Sequence, residues 1–424
     1  MAQVISSPDH PDIGRLQISL TSSITAYPIA DASINISYTG VPESTLEQLT
    51  TNSSGQTETI DLPAPPVEYS TNPENEVQPY SEYTFQVTAE GYEPVTIAGA
   101  EILADVTALQ NIALNPVTAP ASEDASQEEI FVIPAHTLYG NYPAKIPEAE
   151  IKPIPESGEI VLSRVVVPEY IVVHDGSPRD STAKNYYVRY KDYIKNVASS
   201  EIYATWPENT IRANVLAIMS FTLNRVYTEF YRNQGYDFTI TSSTAYDHKW
   251  MHGRNIFDSI SYVVDEIFAD YLSRPNVKQP ILTQYCDGQR VQCPNWMSQW
   301  GSKYLGDQGY SAIQILRNYY SQDMYINTAE EISGIPASWP GYDLDIGASG
   351  AKVRQLQEQL NTIAEVYSSI PAVNVDGVYS EATKEAVQAF QEVFGLPVSG
   401  IVDYPTWYKV QEIYVAVTRI AELL

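Results

Sequence analysis

Two cysteines, Cys286 and Cys293, are all that 424 residues contain. A chain this long cannot rest on a disulfide framework, so its stability has to come from buried apolar cores. Bases are scarce too: 24 Lys and Arg stand against 52 Asp and Glu, a net charge of -28. Such a surface repels a phosphate backbone, which excludes nucleic acid as a partner. No apolar run is long enough to cross a bilayer, so no membrane partner is expected. The opening stretch MAQVISSPDHPDIGRLQ has neither a basic start nor an apolar core and does not read as a signal peptide.

Apolar content is ordinary for a globular protein at 44%. The charge is unevenly spread. Up to Ile130 there are 19 acidic residues and a single base, Arg15, and the first lysine is Lys145. That step, together with the length, predicts a separate acidic N-terminal module in a chain of two or three domains. Tyrosines number 32. Their flat faces and polar tips suit sugar rings, although tyrosines also fill ordinary cores.

Four segments, RLQISLTSS, ASINISYTG, SEYTFQVTAEGY and ALQNIALNPV, alternate apolar and polar residues between turn residues. That pattern predicts an antiparallel β-sandwich over residues 1–118. PVTAPASEDASQEEI has no periodicity and reads as an exposed linker over 119–130. The next module, 131–332, is expected to be α+β. It opens with the extended EIVLSRVVVPEYIVV and continues with helical patterns, the longest starting just after Pro207. ISGIPASWPGYD reads as a second linker over 333–343, and short helices with glycine turns follow over 344–424.

The final stretch resembles the three-helix peptidoglycan-binding domain family. Leu344, Gly347, Gly350, Val353, Leu356, Gln357 and Leu360 match, then Asp376, Gly377, Tyr379, Thr383, Val387, Phe390 and Gln391, then Gly395, Leu396, Val398, Gly400, Asp403, Thr406 and Trp407. The Leu and Phe positions are core by spacing. The surface around Tyr379, Gln391 and Trp407 is the expected wall contact, with a core role as the alternative, above all for Trp407.

The middle module resembles the stage II sporulation protein D family of peptidoglycan lytic transglycosylases. The resemblance is carried by YIKNVASSEIYATWPENTIRANVLAIMSFTLNRV and, more specifically, by NWMSQWGSKYLGDQGYSAIQILRNYY. Two departures stand out: Met219 occupies the place of a usual Arg, and Pro294, Asn295 and Trp296 replace the usual His and Gly before the motif. The sandwich of 1–118 looks like the prealbumin-like fold. The whole order of modules resembles the clostridial spore cortex-lytic enzymes. That resemblance implies a zymogen lodged in the spore without conventional secretion, activated when a subtilisin-like Csp protease removes the N-terminal region, with a cut expected near Gln127.

Lytic transglycosylases need one carboxyl group, acting first as acid and then as base, rather than the paired carboxyls of ordinary glycosidases. Glu201 and Glu208 are the candidates. Glu208 stands at a helix start, where the dipole favours a charged cap. Glu201 lies beside Ile202, Tyr203 and Trp206, where an apolar setting favours the protonated form, so Glu201 ranks first. Ser298 and Gln299 are placed to hydrogen-bond N-acetyl and hydroxyl groups and Trp300 to stack on a sugar, with Lys303 and Tyr304 alongside. The alternative is a buried turn in which Gln299 ties down backbone. No cofactor is required. Some members of the family are thought to hold zinc with one His and two Cys. Here His248 and His252 are four apart and Cys286 and Cys293 seven apart, leaving a disulfide, free thiols or a metal pair open. A non-enzymatic amidase activator and an N-acetylmuramoyl amidase are the rival functions.

Overall fold

The computed structural model describes residues 12–41, 43–117, 128–135, 138, 145–149, 162 and 164–419. It is a multidomain α+β chain ending in a helical region. The N-terminal unit contains β1 (Asp12–Ser22), β2 (Ser33–Tyr38), β3 (Thr45–Thr50), β4 (Ile60–Ala64), α1 (Glu68–Thr71), β5 (Ser81–Thr88), β6 (Val95–Ile102), β7 (Thr107–Leu114) and β8 (Glu129–Val132). One sheet has the order β4-β1-β7 and the other β3-β2-β5-β6-β8. Period-two alternation is visible in β1, where Leu16, Ile18 and Leu20 are fully buried while their neighbours are not. Each such side chain contributes roughly 1.5–3 kcal/mol on burial. Ile34, Ile36, Phe85 and Ile97 belong to the same core.

Two strands cross the expected boundaries. β8 runs parallel to β6, so residues 129–132 belong to the first unit's sheet rather than to a linker or to the second unit. Gly99 permits this, with φ +87° and a Cβ position only 2.4 Å from Ile133 O. β13 (Ile256–Phe257), from the middle unit, pairs antiparallel with β7. Alternation reveals that a residue is half-buried but not which chain segment will complete the sheet edge.

The middle unit comprises β9 (Val166–Val167), β10 (Tyr170–His174), β11 (Asn185–Arg189), α2 (Tyr190–Glu201), α3 (Glu208–Tyr227), β12 (Ile240–Thr241), β13, α4 (Asp258–Ile267), β14 (Asp270–Ser273), β15 (Tyr285–Cys286), β16 (Met297–Ser298), α5 (Gln299–Asp307), α6 (Ala312–Tyr320), β17 (Tyr325–Thr328) and β18 (Glu331–Ile332). α3 begins just after Pro207, as expected, and is buried on nearly every side. It is enclosed by α2, α4, α5 and α6, and buries polar residues such as Asn214, Ser220 and Asn224 as well as apolar ones. Met219 is part of that interior.

The C-terminal unit holds α7 (Ala351–Ala364), α8 (Glu381–Val393) and α9 (Tyr404–Thr418). Ser380 caps α8 through Thr383 N, and Asp403 caps α9 through Thr406 N. The expected linker 333–343 is packed against this unit: Ala337 O accepts from Trp407 Nε1, and Trp339 meets Trp407 edge-on at 6.2 Å. Lys191 pairs with Glu412, and Phe268 packs on Tyr404 and Tyr408, joining the middle and last units. Among the described residues no helix is long and apolar enough to cross a membrane.

A buried ion pair ties the first unit to the middle one. Arg254 NH2 donates to Glu101 Oε2 at 3.0 Å, and Asn255 bonds the Glu101 backbone in both directions. Burial pushes the Glu101 carboxyl up to about 7, against the pull of Arg254 and Lys249 and with Glu82 adding to the rise. An acid with a raised folded-state value binds its proton more tightly when folded. Its contribution is therefore complete below the ordinary Glu range and is lost as pH rises through about 7. Stability should fall between pH 4.5 and 7.5 by on the order of 2–3 kcal/mol, and Glu101→Gln should flatten that slope in urea titrations. An unchanged slope in the variant would assign the pH dependence to other groups.

Candidate functional site

α2 ends at Glu201 because Ile202 turns extended, with φ -139°. The carboxylate is enclosed, the residue being 8% exposed. Oε1 accepts from Lys249 N at 2.6 Å. Gln299 Nε2 donates to the Glu201 carbonyl at 2.9 Å and to Oε2 at 3.2 Å. Residues 98 apart in sequence thus meet, and Gln299 ties down backbone and carboxylate together. Ser298 is the N-cap of α5, its Oγ accepting from Gly301 N at 2.8 Å. Trp300 packs on Trp206 with centroids 4.9 Å apart, and Tyr203 meets both edge-on. Lys303 is turned back to Asp307 at 2.7 Å, while Tyr304 is 66% exposed. Glu208 is also at the surface, bonded one helical turn on to Arg212, which in turn pairs with Glu266.

Behind Glu201 lies a group that motif reading missed. Lys145 Nζ sits 4.4 Å from the Tyr285 ring centroid and 5.0 Å from that of Phe221. Burial pulls this ammonium down to about 8, opposed by the charges of Glu201 and Asp247. Burial, then the charge of Glu201, raises the Tyr285 hydroxyl. His248 is buried beside them, its Nδ1 3.1 Å from Tyr193 OH. Burial, then Lys145 and Arg225, holds it well below the ordinary histidine range.

Cys286 and Cys293 are bonded to each other, so neither sulfur is a free thiolate. His252 stacks on Tyr186 at 4.2 Å. Among the described residues no group of three or more His, Cys, Asp and Glu gathers with metal-site geometry. His10 and His136 lie outside the described residues.

The expected wall contact is corrected. Tyr379, Gln391 and Trp407 are all core residues. Tyr379 OH donates to Gly400 O. Gln391 donates to Ile401 O and accepts from Gly400 N, and Trp407 donates to Ala337 O. The polar atoms of Tyr379 and Gln391 hold the Gly400 turn between α8 and α9, and that of Trp407 holds the segment before α7, so none is free for a ligand.

Part of the middle unit's surface lies beneath the N-terminal one. Trp206 Nε1 donates to Ser70 O at 2.9 Å, Ser70 Oγ meets Thr205 Oγ1 at 2.8 Å, and Arg290 pairs with Glu76. A cavity beside Trp300 is shared by Tyr69 and Asn72 of the first unit with Tyr203 and Arg290 of the middle one.

Residues 349–410 match the family described as "Putative peptidoglycan binding domain". That places a cell-wall-binding type of domain at the C-terminal end, over α7 to the first half of α9. Among solved structures, the SleB N-terminal domain is 32% identical over 18% of this chain and 99% of that one, with a TM-score of 0.16. The Bacillus anthracis TIE protein is 15% identical over 25% of this chain and 17% of that one, with a TM-score of 0.18. The minor pilin GBS52 of Streptococcus agalactiae is 16% identical over 27% and 49%, with a TM-score of 0.19. No curated protein matches the chain.

Proposed function

We propose that this protein is a peptidoglycan lytic transglycosylase acting on spore cortex, made as a zymogen of the SleC kind. The observation that carries the reading is the tie between Glu201 and Gln299, which joins the best-placed carboxyl to the most specific motif of the sequence. In this reading Glu201 protonates the glycosidic oxygen, the C6 hydroxyl of the muramoyl residue attacks the anomeric carbon, and the Glu201 carboxylate takes up that hydroxyl's proton, closing a 1,6-anhydro ring. The Glu201 carboxylate oxygens accept from the Lys249 backbone N–H and the buried Gln299 amide, which keeps the carboxyl oriented through both transfers. Tyr203, Trp206 and Trp300 are buried in the intact chain and would offer aromatic faces to a sugar ring only once the first unit, whose Ser70 covers Trp206, is removed. Glu208 serves as a helix-start partner of Arg212. Gln299 and Trp300 belong to the substrate end, whereas Ser298 holds α5 and Lys303 pairs within it.

The C-terminal domain supports peptidoglycan as the polymer. Its role here is to raise local enzyme concentration on an insoluble substrate. A Csp-type protease is the activating partner in this reading, and the spore is the location. Product analysis on cortex and vegetative wall tests the activity: anhydro ends support it, freed stem peptides would make the protein an amidase, and no products from processed enzyme would make it a wall-bound activator. A pelleting assay checks the other half. The full chain should be retained by insoluble peptidoglycan, and a chain ending at Ile332 should be retained about ten-fold less; equal retention would take wall binding away from the last unit.

A further inference from the structure

The middle and C-terminal units meet around a cavity of about 60 Å³ that the reaction proposed for Glu201 does not use. It has room for several waters, each of which needs roughly 10–15 Å³. One wall comes from the parallel pair β9–β18, in which Val167 stands beside Ile332. Ser333 N donates to Val167 O at 2.9 Å, which carries the pairing on toward Glu169 and Gly334. A Cβ at residue 334 would lie 2.5 Å from Glu169 Cδ, and φ there is +74°, so glycine is what gives the Glu169 carboxyl its place. Glu169 Oε1 is buried and has no hydrogen-bond partner among the described residues.

The facing wall begins at Arg189, which pairs with Tyr170 across the β10–β11 ladder. Its guanidinium lies 5.6 Å from the Tyr170 ring centroid, and among the described residues it forms no ion pair. Lys191, by contrast, is neutralised by Asp265 and by Glu412 of α9. Asp192 adds a second carboxylate to the lining, and Phe268, Tyr408 and Ile335 close it with apolar surface. An unpaired carboxylate and an unpaired guanidinium between apolar walls complement a ligand that carries both charges at the end of a hydrocarbon chain.

We propose that this cavity binds the free end of a diamino acid in a peptidoglycan stem peptide: a carbon bearing one ammonium and one carboxylate, at the end of a short methylene chain. Glu169 takes the ammonium. Arg189 takes the carboxylate through two N–H donors, the geometry for which a guanidinium is suited. Phe268 and Tyr408 pack on the methylenes. The site rests on the reading of peptidoglycan as the polymer and not on the role of Glu201. Because α9 contributes Tyr408 and Glu412, the isolated last unit does not contain the whole site.

The test titrates the full chain with three probes and follows the methyl NMR signals of Ile332 and Ile335, which line the cavity. The probes are a stem tetrapeptide containing diaminopimelic acid, the same peptide with that residue's free carboxylate amidated, and the same with its free amine acetylated. The unmodified peptide should bind about ten-fold more tightly than either modified one, the usual scale for a hydrogen bond to a charged group. Arg189→Gln should weaken the unmodified peptide about ten-fold and the amidated one little. Glu169→Gln should weaken the unmodified peptide by a similar factor and the acetylated one little. A damaged fold would weaken all three alike. Equal binding of the three probes, or variants that weaken them all equally, would overturn the proposal. Glycine, which has both charges and no chain, should not compete; if it bound as tightly as the peptide, the ligand would be a free amino acid and the stem-peptide assignment would fall. Matched losses in a protein that releases no anhydro ends would uphold the site and remove the lytic reading. Release of anhydro ends by a protein indifferent to the probe's charges would do the reverse.

Discussion

Glu201→Gln should lower release of anhydro ends by on the order of 10²–10⁴-fold, the contribution of a positioned general acid and base. The replacement keeps size and can still accept from Lys249 N, but a carboxamide cannot give up and regain a proton. Wall retention should be untouched, because Glu201 lies outside residues 349–410, which carry the peptidoglycan-binding match. The control is Gln299→Ala. It leaves the carboxyl intact and removes the amide that bonds it at 3.2 Å, so it should lower turnover less than Glu201→Gln does. A folded Glu201→Gln enzyme turning over at the parent rate would sink the assignment and return attention to Glu208.

Arg225→Met should lower the free energy of unfolding by roughly 3–5 kcal/mol, the usual result of removing one partner of a buried ion pair. Arg225 is fully buried at the end of α3. It donates to Asp247 Oδ1 at 2.7 Å and to both oxygens of Glu148, and its guanidinium lies 3.9 Å from the Phe230 ring centroid. Without it Asp247 keeps Tyr231 OH, Thr241 N and Thr241 Oγ1 as donors but loses its counter-charge in the interior. The double variant Arg225→Met, Asp247→Asn should be more stable than the sum of the two single losses predicts, since the second change removes the stranded charge. Strict additivity in urea unfolding would show that the pair is not coupled.

Local pattern carried some of these elements well. The alternation of β1 and the helical spacing of apolar residues in α3 follow from side-chain period alone and were legible, whereas the burial of α3 on nearly every side was not. The capping residues Ser380 and Asp403 also sit where their chemistry demands. Charge contrast singled out the acidic N-terminal stretch, but not that β8 would add Glu129–Val132 to a sheet whose edge is exposed only in three dimensions. The wall-contact expectation failed for a related reason. A Tyr, a Gln and a Trp carry polar tips that suit a ligand or a buried backbone carbonyl equally well, and spacing does not say which.

Composition and periodicity by themselves determined a multidomain chain with an acidic β-rich start, a mixed middle and a helical end, while Glu201 and Gln299 became residues of interest through the family resemblance. Those properties are local: they depend on the period of a strand or helix and on turn chemistry within a few residues. Tertiary structure alone decided that Gln299 reaches Glu201 across 98 positions, that Lys145 turns inward against Tyr285, and that Glu101 meets Arg254 across a buried interface. Each of these joins groups from distant segments in a low-dielectric interior. The strength of such contacts depends on burial and approach, which no stretch of sequence specifies on its own.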